Sequence, residues 1–367
     1  MTKDEGETSP RDRLARFWSD LPRSLFGFLE EEVGPLLKSH QQVALVLEVV
    51  RIEEFVAERD CGHGRPPAAR RPLARAFVAK AVLNIPTTKD LIDRLKFDRR
   101  LRVVCGIWGR VPSESTFSRA FAEFSASEVL DKALETGVRT HLGQDIIHHV
   151  SHDATAIQGR ERGFRKPKPE KKGEKKPRKP KGEPAPPTVL ELQEHRSWQE
   201  SRAAFPIRCD FCVKIGSMGY PEYWRGFKAH ASVGDGGIPL AFFTTSASMS
   251  DVHAAIPLMK AVAERVGQVF YNIFDRGYPG EAVIRAARAL DQVAIVAPKK
   301  TRKDEPAPQL TPDRAKRFEN RTAVERFASD LKENHGGHFI FVRGGRKVHT
   351  HLMFGVLSIF ALRILQI

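Results

Sequence analysis

The sequence predicts an α/β protein in two parts: a mixed five-stranded sheet flanked by helices, preceded by an all-α N-terminal domain. Three observations carry this expectation. Up to residue 143 the apolar residues recur at helical spacing. From residue 146 onward short β-type runs appear, two of them joined by a Gly-rich turn as a hairpin. The later runs then alternate with helical patterns, which implies strands connected by covering helices.

In chain order, residues 1–13 are polar and charged, expected to be a disordered tail rather than a secretory leader. The first domain, residues 14–143, begins with Leu25, Phe28, Leu29, Val33, Leu36 and Leu37 at helical spacing, then Val43, Leu45, Val46, Val49, Val50 and Phe55. A Gly/Pro/Arg turn at 61–72 precedes a helix over 73–83. Short helices follow at 88–95 and 99–106, then a Gly/Pro break at 109–112 and a helix at 115–124 with Ser113 or Ser115 as N-cap. Three short helices with a turn before the last suit either a helix-turn-helix reader, with Ser118 and Arg119 on its recognition helix, or plain helical packing.

The second domain, residues 144–367, opens with a strand at 146–157 that carries Asp153. Residues 160–187, with Lys171, Lys172, Lys175 and Lys176, are Lys-, Pro- and Gly-rich and hold little beyond Phe164 to bury. They are expected to form a disordered basic loop. Strands at 223–233 and 238–245 flank a hairpin turn at 234–237. A helix at 252–266, capped by Ser250 or Asp251, leads to a strand at 269–274 that ends in Asp275. A helix at 280–290, a buried strand at 292–297 and a polar linker at 298–312 follow.

The stretch 318–332 contains no Pro or Gly and is dominated by helix formers. On a helix turning about 100° per residue, Val324, Phe327, Ala328 and Leu331 share one apolar face. Phe318, Arg321, Glu325 and Lys332 fall in a bordering arc of roughly 60°. One carboxylate flanked by two cations at the edge of a buried face suits a metal and a phosphate, or simply ion pairs on a surface helix. The closing apolar run at 352–367 contains Arg363 and falls short of the ~20 residues that span a bilayer, so a core helix is expected there.

A formal net charge of +15 argues for a polyanionic partner, and four cysteines in 367 residues fit a reducing cytoplasm. No Walker, dinucleotide-binding or nucleophile-elbow pattern occurs, so no nucleotide cofactor is expected, and no membrane partner. Cys209-x-x-Cys212 with His195 or His230 is a thin zinc-knuckle pattern without a second Cys pair. Strand alternation divides His148, His149 and His152 between two faces, which favours structural roles or DNA contact over a metal cluster.

A phosphodiester repels nucleophiles and has a poor leaving group. Two divalent ions about 3.5–4 Å apart overcome both obstacles, and hard Mg²⁺ takes carboxylate oxygens. Asp153, Asp275 and Glu325, from three separate elements, meet that requirement, although each alone is as readily a turn, cap or surface acid. Asp251 is either a fourth ligand or a helix cap.

The spacing aromatic-x-x-Arg-x-x-x-Glu-x-x-x-x-x-x-Lys, from Phe318 to Lys332, resembles the Tyr-Arg-Glu-Lys signature of bacterial insertion-sequence transposases of the DDE type, with Phe318 in place of Tyr. Asp153-Ala-Thr-Ala-Ile and Asp275-Arg-Gly-Tyr resemble the family's other acidic positions, and Trp224-Arg-Gly-Phe-Lys-Ala-His resembles its second strand. The likeness resumes at Val342-Arg343-Gly344 and covers most of residues 146–360. Gly64-Arg65-Pro66-Pro67 through Phe124 is more loosely similar to the all-helical N-terminal domain that many of these transposases carry.

The resemblance implies an RNase H-like catalytic domain whose first and fourth strands are neighbours, with Asp153 beside Asp275 and Glu325 reaching in from a helix. It implies Asp153, Asp275 and Glu325 as catalytic residues and as ligands of two Mg²⁺ or Mn²⁺ ions. Arg321 and Lys332 become phosphate contacts, and Arg119 and the loop lysines candidate DNA contacts. The implied activity is cleavage at terminal inverted repeats and 3′-hydroxyl strand transfer into target DNA. A dimer assembled on DNA would carry it out, in the bacterial cytoplasm and at the nucleoid. Two alternatives stand: an RNase H-like nuclease or resolvase without strand transfer, and a catalytically inactive transposase-derived DNA-binding protein. The β-rich insertion that some relatives carry between the last two acids is missing. The base-stacking role of its Trp would fall to Trp198 or Trp224, each of which reads more simply as core.

Overall fold

The computed structural model describes residues 25–57, 68–164, 187–215, 218–278, 280–298 and 308–366. The tail at 1–13, the turn at 61–67, the loop lysines 171, 172, 175 and 176, and most of the 298–312 linker lie outside the described residues.

The N-terminal part is helical as expected: α1 (Lys38–Val50), α2 (Arg70–Val82), α3 (Thr88–Phe97), α4 (Arg99–Val104), α5 (Glu114–Ser127) and α6 (Val129–Leu142). Local side chains set the boundaries. The Thr87 hydroxyl accepts from the Asp90 N–H at 3.1 Å while Asp90 accepts from the Thr87 N–H, a capping box that starts α3. Asp98 starts α4 by accepting from the Leu101 N–H at 3.0 Å. Ser113, not Ser115, holds the N-cap position of α5. Helix α2 begins at Arg70, earlier than the sequence suggests, because Pro72 sits in the first turn, where an N–H has no helical partner to lose. Helix α6 occupies a stretch with no expected element; Val129, Leu130, Ala133, Leu134 and Val138 give it a buried stripe.

Among the described residues the sheet has six strands rather than five: β1 (Ile146–Gln158), β2 (Asp210–Ile215), β3 (Pro221–Val233), β4 (Pro239–Ser246), β5 (Gln268–Phe274) and β6 (Val293–Val296). Their order is β2-β3-β1-β5-β6, with β4 also on β3. Pairings to β3 are antiparallel, whereas β1, β5 and β6 run parallel, so the sheet is mixed. The unexpected strand is β2. Its alternation of Phe211, Val213 and Ile215 is a short signal, and those side chains stay exposed instead of joining the core. Two unexpected short helices, α7 (Val189–His195) and α8 (Trp198–Ala203), precede it.

After α9 (Val252–Ala263) and α10 (Glu281–Ala289), the expected 318–332 helix is divided. Phe318 ends α11 (Pro312–Phe318), Arg321 closes a single 3₁₀ turn (Glu319–Arg321), and Glu325 and Lys332 ride on α12 (Thr322–Asn334). Phe318, Arg321 and Thr322 all keep right-handed helical dihedrals, so the turn alters the hydrogen bonding more than the facing of the side chains.

The last helix, α13 (Gly345–Ile364), starts before the expected apolar run because His349 and Thr350 are buried and His351 is partly buried, each with a hydrogen-bond partner. It lies between the two halves. Phe354 stacks on Phe77 of α2 with ring centroids 5.5 Å apart and sits beside Phe121 of α5. His349 reaches Thr244 of β4 and Asp131 of α6. One continuous apolar core therefore runs from Leu29 to Ile364 through both parts of the chain, and a smaller cluster joins α9, α10 and Phe274. Among the described residues, no helix is long and apolar enough to cross a membrane.

Candidate active site

Alternate residues of β1 face opposite sides of the sheet. Ser151, Asp153 and Thr155 face α12: the Ser151 hydroxyl donates to the Asn320 carbonyl at 2.9 Å, and Lys332 Nζ donates to Thr155 Oγ1 at 2.5 Å. Burial of Val324, Phe327 and Leu331 fixes α12 in that position. Strand β1 pairs in parallel with β5, His152 opposite Phe274, so the next residues, Asp153 and Asp275, are neighbours. Asp275 closes β5 in a tight turn: its carbonyl accepts from the Tyr278 N–H at 3.0 Å, and its Oδ1 from the Arg276 N–H at 2.7 Å.

Arg321 ties Glu325 to this pair. One guanidinium nitrogen donates to Glu325 Oε1 at 2.6 Å and another lies 3.7 Å from Asp153 Oδ2. Burial pushes the Asp153 carboxyl up to about 6. The Ala154 N–H and Arg321 pull it back, while Asp275 and Asp251 push it further up. Lys332 is half-buried, and burial together with the nearby Lys214 charge lowers its pKa. Asp153, Thr155, Lys214, Glu325, Ser329 and Lys332 line a cavity of about 370 Å³.

The donor set is the right one for a hard cation, since carboxylate oxygens come from two strands and a helix. In this conformation Glu325 is turned to Arg321, and among the described residues no three acidic, His or Cys side chains gather around one point. Glu325 is half-exposed, and an exposed helical glutamate exchanges rotamers freely, so it can turn toward the aspartates.

The profile of the transposase DDE domain matches residues 146–360, more than half of the chain. The chain belongs to the DDE transposase family. A second profile, a transposase domain (DUF772), matches residues 32–123. No curated protein matches the chain. Membership makes DNA the substrate class of this transposase, and the matched span contains β1, β5 and α12 with all three acids.

Arg119 of the transposase is not part of this constellation. It is exposed on α5, its Nε donating to the Ser115 carbonyl, in an open basin shared with Lys89, Lys96, Arg102 and Arg110. Trp198 is core: it is buried, stacks on Phe243, and donates from Nε1 to Glu264 at 2.7 Å. Trp224 is only partly buried and pairs with Cys212 across β2 and β3. The zinc knuckle does not assemble. Cys209 is buried against the Glu161 carbonyl, Cys212 lies in β2, and His230 meets Thr245 at 2.8 Å. His149 pairs with Asp235 and stacks on Tyr271, and burial pushes His152 down to about 4.

Asp251 holds the expected N-cap position of α9 without a capping side-chain bond, and among the described residues it joins no metal-binding group of acids. It pairs with Lys228 at 2.8 Å and acts on Asp153 through its charge. Tyr278 is a site neighbour that sequence reasoning did not single out. Its buried hydroxyl has no hydrogen-bond partner among the described residues, and burial plus the charges of Asp153, Asp251 and Asp275 raise its pKa well above the usual value. Thr155 and Tyr278 sit inside the two Asp motifs, so their presence was visible and their roles were not. Lys214 went unseen because its strand carries only a short signal.

Proposed function

We propose that this transposase cuts DNA at the terminal inverted repeats of its element and joins the freed 3′-hydroxyl to target DNA. Asp153, Asp275 and Glu325 serve as the catalytic carboxylates. The observation that carries the reading is the β1–β5 pairing that makes Asp153 and Asp275 neighbours, with Arg321 reaching from Asp153 to Glu325. The three acids would hold two divalent ions, Mg²⁺ or Mn²⁺, which when bound activate the attacking oxygen and stabilise the leaving one.

The chain's own residues bind and orient the substrate. Burial, with repulsion from Asp275 added to it, raises Asp153, and a cation placed between the two acids would relieve both. When Glu325 turns inward, the Arg321 guanidinium is freed to take a phosphate through two donors. Lys332, held by Thr155 beside Lys214, meets a neighbouring phosphate as a point charge. Arg119 and lysines 171, 172, 175 and 176 add phosphate-backbone contacts. Phe318 offers a ring where relatives have a hydroxyl, so this chain relies on Arg321 and Lys332 for polar contacts along that face. Concerted cutting of two ends calls for a dimer assembled on DNA.

The test uses labelled DNA carrying the element's flanking repeats, with Mg²⁺ or Mn²⁺, beside Asp153→Asn, Asp275→Asn and Glu325→Gln. Metal-dependent cutting and joining at the repeat end, lost in all three variants, is the expected result. Cleavage that survives Glu325→Gln overturns the assignment. Cutting without end specificity or joining would make the protein a nuclease, and binding without cutting an inactive derivative.

A further inference from the structure

On the side of β1 away from Asp153, four buried polar side chains form a line across the sheet. His152, Ser232 and Asn272 have no exposed surface, and Gln292 has 5%. Asn272 Nδ2 donates to Gln292 Oε1 at 2.6 Å, which leaves Asn272 Oδ1 as an acceptor facing His152 Nε2 at 2.8 Å. His152 must therefore carry its proton on Nε2, and Nδ1 accepts from the Ser232 hydroxyl at 2.9 Å. The line runs from β3 through β1 and β5 to the residue before β6. The His152 ring also stacks on Phe274, centroids 4.5 Å apart and planes 10° from parallel.

The line flanks both aspartates: His152 precedes Asp153, the stacked Phe274 precedes Asp275, and Ser232 adjoins Ala231, the residue opposite Asp153. A parallel pair of apolar strands can slide by two residues and keep the same face inward, because the side-chain period is two. A buried donor–acceptor chain cannot slide without leaving each of its members unpaired. Apolar residues in its place would pack at least as favourably, so stability alone gives no reason for the chain; fixing register does.

We infer that His152 is a positioning residue: through Ser232, Asn272 and the Phe274 ring it locks the β1–β5 register that sets Asp153 beside Asp275. It touches neither substrate nor metal. Because the aspartates' role belongs to the function proposed above, the inference rests on that reading, and two readouts keep them separate.

The experiment compares full-length wild type with His152→Phe, Asn272→Leu and the conservative His152→Gln, whose amide can still donate to Asn272. Mn²⁺ binding is read by electron paramagnetic resonance, and amide hydrogen exchange by mass spectrometry. His152→Phe and Asn272→Leu should weaken Mn²⁺ binding at least tenfold and speed exchange in peptides covering 151–156 and 271–277. Peptides from α13 should exchange as in wild type, and His152→Gln should stay within threefold of wild type in both readouts. Unchanged Mn²⁺ affinity in His152→Phe overturns the inference, as does exchange that accelerates equally across the whole chain. If wild type itself binds no Mn²⁺, the metal-dependent function fails, and the exchange pattern alone then decides the positioning role.

Discussion

Replacing Asp153 by Asn should make the protein more stable, and only above a defined pH. In the folded chain the Asp153 carboxyl titrates near 6 instead of its ordinary 3.8, with burial as the main cause and Asp275 and Asp251 adding to it. Between those values the native state holds a proton that the unfolded chain has released, so stability falls as pH rises through the window and stays low above it. The displacement corresponds to about 3 kcal/mol as a ceiling, since each pKa unit is worth ~1.4 kcal/mol and the side chain keeps some solvent contact. Asn is nearly isosteric with the neutral acid, so the two proteins should match below about pH 4 and diverge by up to about 3 kcal/mol above about pH 6.5. Urea unfolding of both at half-unit pH steps, without divalent ions, gives the difference curve. Titrating groups that do not feel the Asp153 charge cancel from it. Parallel curves, or a variant less stable at pH 7 than wild type, would refute the account of a carboxyl raised by burial and by its acidic neighbours. Adding Mg²⁺ should then narrow the gap by stabilising wild type alone, by ~2.7 kcal/mol at 100 times the dissociation constant.

Other expectations concern the frame. Phe354→Ala removes a ring packed against Phe77 and Phe121 and should cost about 3–5 kcal/mol in urea unfolding, with signals from both halves shifting together. Burial pushes His351 down to about 4, below its unfolded value near 6.5, so its stabilising share is complete above that value and lost as pH falls toward 4. His351→Gln should therefore flatten the acid limb of the pH–stability curve by about 3 kcal/mol. A Cβ at Gly345 would overlap the Ile207 carbonyl oxygen, so Gly345→Ala should destabilise by about 1–3 kcal/mol, read as a lower Tm.

Much of this architecture was legible because burial and periodicity coincide. Strands β1, β3, β4 and β5 and helices α9 and α10 bury apolar residues at regular spacing, and each was expected within a few residues; β6 was placed as closely, but only Ile295 of its four residues is buried. Strand β2 escaped because its alternating side chains face solvent, and α13 was shortened because buried polar residues mimic a surface. At the site, the three acids and Arg321 were legible from spacing within motifs. The Arg321–Glu325 pairing follows directly from the i,i+4 rule. What could not be read were partners brought in by tertiary packing: Thr155 for Lys332, Lys228 for Asp251, and Asn272 for His152. A strand's sequence states which face a side chain takes, not which atom of a distant strand will meet it.

Helix α13 makes the two halves depend on one another. Its 20 residues fill the centre of the helical half and also cover β4 of the other. Taking that helix away would strip apolar cover from both at once, so the helical half is not a detachable module resting beside the sheet. A change that loosens α13 against the helices is therefore felt at the sheet that carries Asp153 and Asp275.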